Sequence, residues 1–225
     1  MRKTNVTVLK VTKDDVFKNY TYIIGDNLTN EAVIIDPAWE INRIKDIVRI
    51  KKYSVRGILL THSHFDHIDL ANSLSREFSC DNYINRTEFE TTKLFLNNAN
   101  LFESDVNLQI FSVKIETIYT PGHTAGSTCY LIDDNLFTGD TLFIEGCGIC
   151  IGSGADPVKM YQSLNKMKMK IPSYTKVYPG HSFGKLPGVS FGYLLNHNIY
   201  LSIDNIDNFV GFRMRKNQKS FCQFN

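Results

Sequence analysis

The sequence predicts an α/β fold of packed layers, and three observations predict it. Short β-rich runs alternate with helical stripes in both halves of the chain. One run, Gly57-Ile58-Leu59-Leu60, is apolar throughout, as a strand covered on both faces must be. Each motif that carries histidine or a candidate aspartate follows directly on such a run.

In chain order, residues 6–11, 20–24 and 32–35 read as strands, punctuated by turn signals at Gly25-Asp26-Asn27 and Asp36-Pro37. Residues 41–50 set Ile41, Ile44, Ile47 and Val48 on one stripe with basic residues opposite, which predicts a helix. The strand around Gly57–Leu60 ends at Thr61-His62-Ser63-His64-Phe65-Asp66-His67. Residues 113–119 and 128–132 read as further strands, and Leu136-Phe137 as a short one entering Thr138-Gly139-Asp140. Residues 158–169 predict a second helix, and Lys176-Val177-Tyr178 a strand running into Pro179-Gly180-His181. From about Leu201 the pattern weakens and turns basic at Arg213-Met214-Arg215-Lys216. The expected organisation is one domain over residues 1–200 with a short C-terminal extension, 201–225, packed on it.

Composition narrows the function classes. A chain of 225 residues with 43% hydrophobic and 21% charged residues can bury a sizeable core. A net charge of +2, with aromatics not interleaved in a basic stripe, argues against a nucleic-acid partner. No long apolar run suits a membrane span, and residues 1–5 lack the apolar stretch of a signal peptide, so a cytoplasmic protein is expected. The five cysteines, Cys80, Cys129, Cys147, Cys150 and Cys222, do not form a disulfide framework pattern. The Cys147-Gly148-Ile149-Cys150 pair has no second CxxC to complete a zinc site, and is expected to be small residues packing a loop.

Five of the six histidines fall in the strand-end motifs, together with Asp66 and Asp140. Imidazole and carboxylate are the donors that zinc and similar divalent ions take. In an extended loop His62 and His64 project to one side and can share an ion, with His123 completing the set. Asp66 and His67, after a bend, can serve a neighbouring ion with His181. Asp140 has two oxygens and can bridge. Two close cations would lower the pKa of a shared water from ~15.7 toward ~7, making a hydroxide nucleophile available without a strong base. Asp66 is expected to be catalytic as well as a ligand. His197, in Asn196-His197-Asn198 near a helix end, is expected at the surface or in a cap.

These motifs resemble the metallo-β-lactamase superfamily, and within it the glyoxalase II-like hydrolases. Residues 61–67, Thr120-Pro121-Gly122-His123-Thr124-Ala125-Gly126, residues 137–143, Gly146-Cys147-Gly148 and Tyr178-Pro179-Gly180-His181 carry the likeness, over roughly residues 5–200. A closer resemblance, to zinc-dependent hydrolases of bacterial trans-acyltransferase polyketide (bacillaene-type) biosynthesis, rests on residues 11–17, 143–150, 180–185 and 212–218. The likeness implies an αββα sandwich of two mixed sheets flanked by helices, two divalent ions, usually Zn2+, and thioester hydrolysis. It also implies late substrate contacts at Arg213 and Arg215. One departure matters: glyoxalase II enzymes follow the Gly-Cys-Gly with a lysine and then a tyrosine that hold glutathione, where this chain has Ile149 and Ile151.

The expected function is therefore hydrolysis of an acyl thioester on an acyl carrier protein or other phosphopantetheine arm, in polyketide biosynthesis. Alternatives are an iron-dependent persulfide dioxygenase, a glutathione-thioester hydrolase and a non-catalytic partner of a synthase. A β-lactamase is disfavoured for want of a secretion signal.

Overall fold

The computed structural model of the protein describes residues 4–14 and 17–216. Two six-stranded mixed sheets form its centre. The first runs β1 (Thr4–Lys13), β2 (Phe17–Asp26), β3 (Glu31–Ile35), β4 (Ser54–Leu59), β5 (Asp81–Asn85) and β6 (Ala99–Phe102). It is antiparallel up to β3 and parallel from there on. The second contains β7 (Asn107–Ile110), β8 (Val113–Tyr119), β9 (Thr128–Ile132), β10 (Asn135–Gly139), β11 (Lys176–Pro179) and β12 (Val189–Ser190), with only β10 and β11 parallel. Helices α1 (Ile41–Lys51), α2 (Phe65–Ile68), α3 (Ala71–Phe78) and α4 (Arg86–Thr92) belong to the first half. The second half carries α5 (Pro157–Lys170), α6 (Phe191–His197), α7 (Ile199–Ser202) and α8 (Ile206–Arg213).

The pleat explains the layering. Along β2 and β3, Tyr20, Tyr22, Ile24, Val33 and Ile35 pack between the sheets against Tyr130, Ile132, Phe137 and Tyr178. The alternate residues Ile23, Ala32 and Ile34 turn to the other face and meet Ile44 and Val48 of α1 and Leu74 of α3. The second sheet does the same, sending Cys129, Leu136 and Val177 against Met160, Leu164 and Met167 of α5. Each fully buried Ile or Leu contributes roughly 1.5–3 kcal/mol, so slipping either sheet by one residue would forfeit two layers at once. The result is the αββα sandwich.

The inter-sheet aromatics also reach toward the strand ends. Tyr22 packs edge-on to Phe137 and Tyr178, at 5.2 and 5.6 Å between ring centres. Its hydroxyl donates to the Pro179 carbonyl at 2.5 Å, just before Gly180-His181. The Tyr130 hydroxyl donates to the Leu60 carbonyl at 2.6 Å, just before Thr61-His62. Core phenols therefore hold the two backbones from which the histidine loops depart.

The predicted helix over 41–50 is α1, with Ile44 and Val48 buried and Ile41 and Ile47 partly so. The one over 158–169 is α5, started by Pro157 and capped by Asp156, whose carboxylate accepts from the N–H of Val158 and Lys159. Residues 201–213 are well packed: Leu201 and Phe209 are buried in the same cluster as Met160 and Leu164. Lys219 and Cys222 lie outside the described residues. Among the described residues no helix is long and apolar enough to cross a membrane.

Candidate metal centre

Strand ends deliver every member of the cluster. After β4 the chain stays extended to His64 (φ −63°, ψ 143°), which caps the single turn α2. The extended segment aims His62 and His64 together, and the helical turn swings Asp66 and His67 back under them. His123 follows β8, Asp140 follows β10 and His181 follows β11. The parallel neighbours β10 and β11 bring the last two side by side, at the carboxyl edge where α/β sheets place ligands. Gly180 permits that approach: a Cβ there would lie 2.5 Å from Asp140 Oδ1 and 2.6 Å from His67 Cε1.

Three groups of donor atoms converge, each within 4.8 Å: His62, His64 and His123; His62, His67 and Asp140; Asp66, His67 and His181. His64 Nδ1 lies 3.1 Å from His62 Nε2 and 3.0 Å from His123 Nε2. Asp140 stands between the sets, with Oδ1 3.4 Å from His67 Nε2 and Oδ2 3.5 Å from His123 Nε2 and 3.3 Å from His181 Nε2. Asp66 Oδ2 is 3.5 Å from His181 Nε2. Tetrahedral zinc arms of about 2.0–2.1 Å imply donor-to-donor edges of about 3.3–3.4 Å, close to these separations. His67 Nε2 and Asp140 Oδ1 are buried without a hydrogen-bond partner, which a cation would relieve. The donor set fits a pair of divalent ions.

The outer nitrogens are already committed. His123 Nδ1 donates to the Ile149 carbonyl at 2.7 Å and His181 Nδ1 to the Lys18 carbonyl at 3.1 Å. His67 Nδ1 donates to Asp36 Oδ2 at 2.9 Å, and His62 Nδ1 to Thr61 Oγ1 at 3.0 Å. Each bond selects the tautomer that leaves a lone pair facing the cluster. Asp36 is the hub: its carboxylate also accepts the Thr61 N–H at 2.8 Å and the Thr61 hydroxyl at 2.6 Å. Glu88, fully buried, accepts from the Ser63 N–H, the Ser63 hydroxyl and the Gly126 N–H, tying the first histidine loop to the turn after His123. Neither acid is legible as functional in the sequence: Asp36-Pro37 reads as a turn, and Glu88 sits in a stretch without a motif. Asp36→Ala should weaken divalent-ion affinity by about 10–100-fold, the usual effect of removing an outer partner. It also leaves the buried Thr61 N–H unpaired, at about 1–3 kcal/mol. Chelator competition and thermal melting with and without metal check both effects.

Burial keeps His62 well below the ordinary histidine range and His123 down to about 4, so both are neutral near pH 7. Burial pulls on His67 too, but Asp66, Asp140 and Asp36 outweigh it and raise it well above its usual value. His181 is likewise raised, chiefly by Asp140 against burial. Burial would raise Asp140, yet His181 and His67 hold it well below the carboxylate range. The carboxylates thus favour positive charge at the second donor set, where a cation would sit.

A cavity of about 260 Å³ opens over the cluster. His64, Asp66, His123, Asp140 and His181 form its floor, and Phe17, Phe65, Phe143, Ile149 and Phe183 its walls. Phe17 meets Phe65 edge-on at 5.4 Å, and Phe143 stacks on Phe183 at 4.7 Å. Arg213, expected at the substrate, is instead buried at 5% exposure, donating to the Cys147 carbonyl at 3.0 Å and the Tyr200 hydroxyl at 3.2 Å. It lies one turn from Phe209 on the inward face of α8, which turns it into the core. Arg215 is exposed, donates to the Phe212 carbonyl and the Tyr200 hydroxyl, and is not part of the cavity wall. Cys80, Cys129, Cys147 and Cys150 are free and buried, with burial pushing the thiols of Cys147 and Cys150 to about 11 and about 12. Such thiols are inert, in keeping with a packing role. His197 is exposed and stacks on Tyr193.

A family model described as the metallo-beta-lactamase superfamily matches residues 14–181, a span holding the whole cluster. The chain belongs to the metallo-β-lactamase superfamily. Within that superfamily it is 42% identical, over 95% of each chain, to a probable polyketide biosynthesis zinc-dependent hydrolase, BaeB, of Bacillus velezensis. A second such protein, PksB of Bacillus subtilis, is 39% identical over 92% of each chain. A hydroxyacylglutathione hydrolase of Dictyostelium discoideum is 33% identical over 73% of this chain and 62% of its own. Among solved structures, ETHE1 from Myxococcus xanthus superposes with a TM-score of 0.83 at 25% identity, covering 94% of this chain and 92% of that one.

Proposed function

We propose that the protein is a zinc-dependent hydrolase of polyketide biosynthesis that cleaves acyl thioesters carried on a phosphopantetheine arm, as on an acyl carrier protein. The relatives named above support the coarser part of this assignment. The finer part rests on one observation: beyond the His/Asp floor, the described residues of the cavity wall are four phenylalanines and Ile149, with no cation among them to receive a charged thiol carrier. An amide-linked pantetheine arm and an uncharged acyl group suit that wall; a glutathione carboxylate does not.

His62, His64 and His123 would hold one ion and Asp66, His67 and His181 the other, with Asp140 shared. Zinc there supplies Lewis-acid polarisation of the thioester carbonyl and a water acidified toward pKa ~7. The chain does the rest. Thr61, Asp36 and the carbonyls of Lys18 and Ile149 keep four imidazole lone pairs aimed inward. The Asp66 carboxylate faces the cavity, where it can accept a proton from attacking water. The phenylalanine walls exclude bulk water from the reacting carbonyl. The departing thiolate, with a pKa near ~8.5, leaves without a dedicated acid.

The test is a panel of one acyl group presented on carrier protein, coenzyme A, glutathione and N-acetylcysteamine, with products followed by mass spectrometry. Carrier or pantetheine thioesters should give the highest kcat/KM; turnover of none of the four would end the proposal. Oxygen consumption by an iron-loaded sample would favour a dioxygenase instead. Arg215 and Lys216 are exposed, and their positive charge would attract an acidic carrier. Reversing both charges should raise KM for the carrier-bound thioester, most at low salt, and leave the N-acetylcysteamine thioester unaffected. Equal effects on both substrates would place carrier docking elsewhere.

A further inference from the structure

The loop between β10 and α5 carries two cavity walls, Phe143 and Ile149, and its Ile149 carbonyl takes the Nδ1–H of His123. It also lies directly on the cluster: Gly148 donates to the Asp140 carbonyl at 2.9 Å, and a Cβ on Gly148 would come within 2.0 Å of that oxygen and 3.0 Å of His123 Nδ1. Any shift of this loop is thus transmitted to the Asp140 backbone and to the His123 ring.

Two polar residues beyond α6 hold it. Asn198, fully buried, spreads its Nδ2 over the carbonyls of Phe143 at 3.0 Å, Ile144 at 3.2 Å and Gly146 at 2.9 Å, while its Oδ1 accepts the Tyr200 N–H at 3.0 Å. Arg213 takes the next carbonyl, Cys147, at 3.0 Å, and Tyr200 supports it with its hydroxyl at 3.2 Å and its ring at 5.3 Å from the guanidinium carbon. Four carbonyls between residues 143 and 147 are thereby held by two side chains, and the carbonyl two residues further on, that of Ile149, orients His123. A helix cap needs one such bond; a buried amide feeding three carbonyls of a distant loop, 52 to 55 residues away, does more than cap.

We propose that Asn198 and Arg213 are positioning residues that set the His123 imidazole through the Phe143–Ile149 loop, making the C-terminal helices a part of the metal centre. This rests on the His/Asp cluster holding metal. Residues 199–213 then tune the His123 ion more than the other, because the loop bonds the His123 ring itself but meets the shared Asp140 only at its backbone carbonyl, not at its carboxylate.

The test uses the full chain stripped of metal and titrated with Co2+, read by its visible d–d bands and by chelator competition. Arg213→Met should weaken one of two Co2+ steps by about 10–100-fold and leave the other within about twofold. Tyr200→Phe, which keeps the core volume and removes only the supporting hydroxyl, should weaken the same step less. Arg213→Lys should recover part of the loss. In the zinc-loaded protein the His123 Nδ1–H, observed by 15N-histidine NMR, should exchange faster with water in Arg213→Met and in Asn198→Ser. Equal loss at both steps tracking a fall in Tm, or no change at either with unaltered His123 exchange, would overturn the inference. A wild-type chain that binds no Co2+ would sink the metal assignment itself, a distinguishable failure that takes this inference with it.

Discussion

Asp140→Ala should remove metal and activity together, with kcat/KM falling by about 10³-fold. Asp140 is the only carboxylate of the cluster close to donors of both histidine sets, at 3.3–3.5 Å from His67, His123 and His181. Losing several kcal/mol of electrostatic stabilisation corresponds to that factor at about 1.36 kcal/mol per decade. Metal content by plasma emission should fall from two ions per chain to one or fewer. Asp140→Asn keeps the shape and removes the charge; it should retain more metal than the alanine variant. A replete wild-type protein without metal, or an alanine variant with full metal and activity, would end the dinuclear assignment.

The same substitution has a signature in the metal-free protein. The carboxylates raise His67 and His181, so their contribution to stability is complete below about pH 6.5, the unfolded histidine value, and fades as pH climbs through the raised folded values. Asp140 is depressed, so its contribution is present above about pH 3.9 and fades as pH falls through the lower folded value. The Tm gap between chelator-treated wild type and Asp140→Ala should therefore be largest between about pH 4 and 6.5 and narrow as pH rises above that window. A gap that is flat with pH would mean that the carboxylate acts only by packing.

Much of the centre is legible in the sequence because its donors are short-range facts: His62 and His64 alternate on an extended segment, and each other motif follows a strand with a strong apolar signal. Packed α/β layers are legible in the alternating strand and helix patterns; the αββα order is what the family resemblance implies, and the pleats of β2 and β3 carry it in the structure. What escapes is long-range. Strands β5, β6 and β7 are runs of four or five residues, each interrupted by Asn, Asp or Gln, that become strands by pairing toward the ends of the sheets rather than by their own periodicity. Asp36 and Glu88 matter only because folding brings them to residues 25 to 38 positions away. Arg213, expected at the substrate, belongs to a basic run, yet α8 turns it inward beside Phe209.

S-D-lactoylglutathione should be a poor substrate, with kcat/KM at least about 100-fold below that of a phosphopantetheine thioester. Ile149 forms part of the cavity wall and Ile151 stands exposed two residues on, at the positions where glyoxalase II enzymes carry a lysine and a tyrosine. An aliphatic wall offers a glutathione carboxylate no partner, and an unpaired polar group facing it costs about 1–3 kcal/mol, or about 5–150-fold in rate or affinity. Two such contacts are missing. Restoring one charge with Ile149→Lys should raise kcat/KM on the glutathione thioester by about tenfold, with the gain shrinking as salt is added. The same change should lower activity on the pantetheine thioester, since an ammonium would be buried against Phe143 and Phe183. Adding Ile151→Tyr should improve the glutathione reaction further, because its phenol restores the second missing contact. If the wild-type protein turns over the glutathione thioester as well as the pantetheine one, the enzyme grips glutathione through other contacts and the carrier assignment fails. If Ile149→Lys changes neither reaction, the thiol arm does not pass along that wall, and specificity must come from the opposite side, at Phe17 and Phe65.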